Sequence, residues 1–194
     1  MKKFFCDIEM TGTDYSKHGI VQIAGIIVID GVEKERFNFS IQPFSSDVID
    51  QEALTVNGVA AESLFAAPRL TPHQAYHELI TVLSRYVDKF NKRDKFFFIG
   101  YNARFDVDFL RAFFEKCLDK YFGSWFWFPP IDVMNMAALD LINVRPKLEN
   151  FKLGTVAVVF DLKADGDLHD AFTDIKLTMD MFNLLEGKKY ADIS

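Results

Sequence analysis

Residues 3–41, KFFCDIEMTGTDYSKHGIVQIAGIIVIDGVEKERFNFSI, decide the architecture. Within them, Ile20–Ile29 is an apolar run of strand length, and Asp30-Gly31 follows it directly. Asp-Gly between two such runs is a strong two-residue hairpin signal. From about Val32 to Ile41, Phe37, Phe39 and Ile41 alternate with polar neighbours, the period of a half-buried strand. Ahead of this pair, residues 3–9 form a short apolar run ending in carboxylates, the pattern of a central strand. Three strands in a meander therefore open the chain.

Working outward, residues 43–70 read as irregular, with a short helical piece near Asp50–Val56 and a turn at Asn57-Gly58. An amphipathic helix is expected from about Pro72 to Phe90, capped by Thr71 with proline at its first position. Its apolar stripe holds Leu79, Ile80, Leu83 and Val87. Lys95–Tyr101 (KFFFIGY) reads as a buried strand, Arg104–Tyr121 as a helix, and Trp125–Phe128 as the last strand, ended by Pro129-Pro130. Three helices follow, at about Val133–Ile142, Leu148–Phe160 and Asp170–Leu185. A meander followed by strands alternating with helices makes a mixed five-stranded sheet flanked by helices. This α/β arrangement resembles the ribonuclease-H-like type, and residues 1–194 read as one domain.

Composition narrows the function. Of 194 residues, 49% are hydrophobic and 21 are phenylalanine, which calls for a core, a stacking surface, or both. The net charge of −6 argues against a protein that coats long stretches of nucleic acid with a basic face. An acidic protein can still act on a nucleic-acid end if bound divalent cations supply positive charge. Cys6 and Cys117 are far apart and form no metal pattern, so they read as reduced thiols of a cytoplasmic protein. The opening MKKFF imitates a signal peptide, but Asp7 and Glu9 interrupt it. No run approaches the roughly 20 apolar residues that span a bilayer, so no membrane partner is expected.

Three short motifs carry the chemistry. Asp7-Ile8-Glu9 puts two carboxylates on one face of a strand, where unpaired they repel each other. A divalent cation resolves that conflict, and so does simple solvation at a strand end; similar pairs recur at Asp106/Asp108 and Asp165/Asp167. Asn102 to Asp106 lies where a strand passes into a helix. There Asn102 serves equally well as a helix cap, Asp106 as a favourable first-turn charge, and Phe105 as core. His169 and Asp174 reach one place only if His169 precedes the helix that carries Asp174, with Asp167 or Asp170 as the cap. A histidine met alone is more often a surface or hydrogen-bonded core residue, the reading given to His18, His73 and His77.

In order along one chain, Asp-x-Glu at Asp7, Asn-x-x-x-Phe-Asp at Asn102 and His-x-x-x-x-Asp at His169 resemble the DEDDh 3′-5′ exonucleases. That superfamily includes the epsilon subunit of DNA polymerase III, ribonuclease T and oligoribonuclease. Ile23-Ala24 and the epsilon-like stretch Glu52–Val59 (EALTVNGV) extend the likeness over nearly the whole chain. Gln22 departs from it, standing where glutamate is frequent, and so does Ile175, where alanine is common. The resemblance implies Asp7, Glu9, Asp106 and Asp174 as ligands of two Mg²⁺ or Mn²⁺ ions and as catalytic groups, with His169 as general base. It implies Thr11, Gly12, Asn102 and Phe105 as contacts to the 3′ end of a nucleic acid, expected to be single-stranded and, on the epsilon-like stretch, DNA. The alternatives are an RNA-directed enzyme of ribonuclease T type and a module that binds 3′ ends without cleaving. No polymerase partner is implied, because no domain follows Ser194. Two basic clusters, Lys89/Lys92/Arg93/Lys95 and Arg145/Lys147/Lys152, read as solvated faces or as contacts to the strand.

Overall fold

The computed structural model describes residues 1–56, 60–65, 68–164, 166 and 171–191, the side chains of 56 and 188–191 excepted. The Asn57-Gly58 turn, Asp165, Asp167, His169 and Asp170 lie outside the described residues.

Five strands form one sheet: β1 (Lys2–Met10), β2 (Ile20–Ile29), β3 (Val32–Ser40), β4 (Phe97–Gly100) and β5 (Ile131–Asp132). Their order is β3-β2-β1-β4-β5, so β1 is central. β1, β2 and β3 pair antiparallel, while β1–β4 and β4–β5 are parallel. The expected mixed sheet is present. Asp30 (φ 50°) and Gly31 (φ 80°) make the expected tight turn between β2 and β3, a turn that needs two residues tolerant of positive φ.

Alternation along β1 divides the core. Phe4, Cys6 and Ile8 face a layer that includes α2 (Pro72–Ser84) and α3 (Ala103–Lys116). Phe5, on the other face with Asp7 and Glu9, packs with α4 (Val133–Asp140), α5 (Leu153–Val159) and α6 (Ala171–Ala191). The fully buried Phe4 ring sits 5.2 Å from Phe126, 5.7 Å from Phe98, 5.8 Å from Phe96 and 6.0 Å from Phe37, so much of the phenylalanine is spent on the core. Thr71 caps α2 with a reciprocal bond to Gln74, and a short helix at Gln51–Val56 matches the expected piece. Among the described residues no helix is long and apolar enough to cross a membrane.

Several boundaries differ from the sequence reading. The last strand is Ile131–Asp132, not Trp125–Phe128. Only Phe126 bridges to Phe96, Pro129 and Pro130 offer no N–H to a ladder, and pairing resumes beside Ile99 and Gly100. α2 stops at Ser84 rather than near Phe90. The N–H groups of Arg85 and Tyr86 turn to carbonyls three residues back, and Val87 returns to the core. α3 ends at Lys116, where Leu118 takes a left-handed φ of 64° and the Asp119 N–H closes on the Phe114 carbonyl. α5 begins at Leu153 instead of Leu148, following a 3₁₀ turn at Arg145–Lys147.

Candidate active site

Three elements carry the acidic groups to the end of β1. Asp7 and Glu9 project from the central strand opposite Ala24 and Gln22. Asp106 stands in the first turn of α3 and is 6% exposed. Asp174 stands in the first turn of α6, the helix that crosses β1. Burial, then the charges of Asp106, Glu9 and Asp174, hold the Asp7 carboxyl well above the usual range. Burial and the Asp174 charge push Glu9 up to about 7. Burial also raises Asp106, helped by Asp132 and Glu9 and opposed by backbone N–H groups, including that of Ile8. The four carboxylates therefore share one electrostatic environment. The buried Cys6 thiol beside them is pushed up by burial and by Asp106 and Asp7.

Asp106 owes its position to the turn before α3. Asn102 there adopts a left-handed backbone (φ 64°, ψ 40°) and makes no side-chain cap, which removes the capping alternative for it. Its backbone N–H instead donates to Asp132 Oδ1 at 3.1 Å. The same oxygen caps α4 by accepting the Met134 N–H at 2.9 Å. The sequence reading missed Asp132. Its signal was an aspartate directly before the apolar run that begins at Val133, the ordinary mark of a helix start.

The four expected substrate contacts divide. Asn102 is exposed beside Asp106, and Phe105 is partly buried with its ring 5.1 Å from Phe109, so core packing and a free edge coexist there. Thr11 is fully buried. Its hydroxyl donates to the Val48 carbonyl at 2.6 Å and accepts the Gly19 N–H at 2.9 Å, so that hydroxyl is engaged within the fold. Gly12 is buried where a Cβ would meet the His18 ring at 2.4 Å, so any larger residue there would displace that ring. His169 lies outside the described residues.

A donor set made only of carboxylates suits a hard divalent cation, which would relieve the repulsion that raises Asp7, Glu9 and Asp106. Among the described residues no three Asp, Glu, His or Cys side chains close on one ligand shell. The carboxylates are electrostatic neighbours all the same. On donor chemistry the group fits.

The exonuclease family model, of ribonuclease T type, matches residues 4–182, a stretch that contains all three motifs. The chain belongs to that exonuclease family. Its ordered acidic motifs place it in the DEDDh superfamily. It is 27% identical over 173 residues to the 3′-5′ exonuclease DinG of Bacillus subtilis (strain 168), covering 89% of this chain and 16% of that protein. It is 25% identical over 187 residues to the 3′-5′ DNA exonuclease Cap18 of Escherichia coli, covering 93% and 89%. Among solved structures, E. coli Exonuclease I in complex with a dT13 oligonucleotide shares the fold, with TM-score 0.75 and 20% identity. That match covers 95% of this exonuclease-family chain and 41% of Exonuclease I. The chain thus spans less than half of Exonuclease I and a small part of DinG.

Proposed function

We propose that this chain is a metal-dependent 3′→5′ exonuclease that releases nucleoside 5′-monophosphates from single-stranded nucleic acid, DNA preferred. The observation that carries the reading is the shared environment of Asp7, Glu9, Asp106 and Asp174. Two of these carboxylates raise the proton affinity of Asp7 from other elements of the fold. Such an arrangement is costly unless a cation is to be held. The preference for DNA is supported by the relative named a DNA exonuclease, which is similar over 93% of the chain. The ribonuclease T name of the family model supports RNA as a second reading.

Asp7, Glu9, Asp106 and Asp174 would hold two Mg²⁺ or Mn²⁺ ions. Bound there, the ions supply Lewis acidity toward water and the phosphodiester, and they offset the acidic charge that would repel a polyanion. His169 would take the proton from the attacking water; its ordinary pKa of about 6.5 suits that task near neutrality. Water then forms a bond to phosphorus, the bond to the 3′ oxygen of the next nucleotide breaks, and that oxygen ends as a hydroxyl. Phe105, anchored on Phe109, would offer a ring edge to the terminal base, and Asn102 an exposed amide beside it.

The test uses 5′-labelled DNA and RNA of one sequence, single- and double-stranded, with Mg²⁺ or chelator. The reading predicts a ladder that shortens from the 3′ side only with Mg²⁺, fastest on single-stranded DNA. Absence of Mg²⁺-dependent shortening on every substrate would overturn it.

A further inference from the structure

At the far end of β1 from the carboxylates lies a second surface that the cleavage reading does not use. The turn after α2 is tied there by Lys2, whose ammonium donates to the Tyr86 carbonyl and to Asp94. Asp7 lies five residues further along the strand, roughly 17 Å at the usual rise of a strand. Hydrogen bonds hold the turn in shape. Asp88 Oδ1 accepts the Phe90 N–H at 3.0 Å, the Asp88 carbonyl accepts the Asn91 N–H at 2.9 Å, and Asn91 Oδ1 accepts the Arg93 N–H at 3.0 Å. The product of this ordering is an exposed ring: Phe90 is 85% exposed.

Phe90 stands between two recesses. One, of about 500 Å³, runs back to Trp125, Tyr86 and Val87. The other, of about 440 Å³, is formed with Tyr121, Lys92 and Ser124. Phe90 and Lys89 line both. Lys89 Nζ lies 5.4 Å from the Phe90 ring and 5.8 Å from the Trp125 ring. Trp125 is buried, and its indole N–H has no acceptor among the described residues. That is an unusual state for a buried donor. Lys92 and Arg93 are exposed, and neither forms an ion pair among the described residues. Lys95 Nζ lies 5.4 Å from the Trp127 ring. Of the acidic groups in the same turn, Asp94 is matched by Lys2 and Asp88 accepts backbone N–H within the turn.

We propose that this surface binds unpaired nucleic acid, separately from the catalytic carboxylates. An exposed aromatic between two recesses gives bases a face to stack on, and lysines beside it meet the phosphates. A protein of net charge −6 that keeps Lys89 and Lys92, without ion-pair partners among the described residues, around aromatic rings has the charge complementarity for a polyanion at this place.

Of the two tryptophans, Trp125 lines one recess, so its fluorescence reads the surface. The protein, in chelator to prevent cleavage, is titrated with single-stranded oligo-dT of about 15 nucleotides, a length typical of such sites. Quenching is expected, weakening about tenfold in Phe90→Ala and in the double variant Lys89→Gln/Lys92→Gln, with unchanged circular dichroism. In Mg²⁺ these variants should cleave a dinucleotide at the parent rate, since it is too short to reach this end of β1. The proposal is overturned if the variants bind oligo-dT as the parent does, or if inorganic polyphosphate competes as well as the oligonucleotide. It is equally overturned if the protein self-associates through Phe90 and ignores oligo-dT. Because binding is read without turnover, these results are independent of whether the carboxylates cleave.

Discussion

Asp132 Oδ1 accepts the backbone N–H of Asn102 at 3.1 Å, and through this bond the end of β5 holds the turn that aims Asp106. One oxygen joins two helix starts, since it also receives the N–H of Met134 in α4. Asp132 is a positioning residue: it acts on Asp106 through the turn.

Asp132→Ala removes the one oxygen that accepts both hydrogen bonds. It should cost about 1 kcal/mol as a lost cap and lower turnover by about 10- to 100-fold through misplacement of Asp106. It should also raise the Mg²⁺ concentration needed for half-maximal rate. Asp132→Asn keeps an acceptor oxygen and should restore the Mg²⁺ requirement. Rates measured across a Mg²⁺ series check this, and an unchanged Mg²⁺ requirement in the alanine variant would refute it.

The raised carboxyls predict how pH and metal act on stability. Glu9 moves from 4.5 to about 7 on folding, so its folded form holds a proton more tightly than its unfolded form. Its contribution is fully present below pH 4.5 and is lost as pH rises through about 7. Asp7 and Asp106 act in the same direction. Metal-free protein should therefore lose stability from these groups toward pH 8, where a cation binds their ionised form best. The increase in Tm on adding Mg²⁺ should be larger at pH 8 than at pH 5.5. Equal increases at both pH values would contradict the assignment.

Removing one charge from a crowded acidic site should separate activity from stability. In chelator at pH 8, Asp106→Asn should gain about 1 kcal/mol, or roughly 2–4 °C in Tm, because a buried repulsion is relieved. Its cleavage should disappear. Loss of activity together with a lower metal-free Tm would mark Asp106 as structural.

The core offers a contrasting case. Phe4, fully buried among four phenylalanine rings, should cost about 3–5 kcal/mol when changed to alanine. Denaturant midpoints of Phe4→Ala measure this, and its Mg²⁺ requirement should match the parent's in the folded range.

How far the sequence was legible follows from where the determinants are local. The β2–β3 hairpin could be read because Asp30-Gly31 and its flanking runs are contiguous, and α2 began where Thr71 and Pro72 say it should. The four carboxylates could be proposed as one set because motif order reports the family. β5 was misplaced because two residues carry no period of their own and their pairing depends on β4. The ends of α2 and α3 were overrun because apolar spacing continues past them while the backbone turns. Asn102 could be read as a cap, yet with its left-handed backbone its side chain makes no cap bond, and its own N–H is held by Asp132 from another strand. The engagement of the Thr11 hydroxyl with Val48 and Gly19 is invisible without coordinates.

The most direct test of the central claim is calorimetric Mn²⁺ binding beside turnover for the parent and for Asp7→Asn, Glu9→Gln, Asp106→Asn and Asp174→Asn. The account predicts that every one of the four weakens binding by at least about tenfold and abolishes cleavage. Parental Mn²⁺ affinity and turnover in any one of them would contradict a single site built from all four.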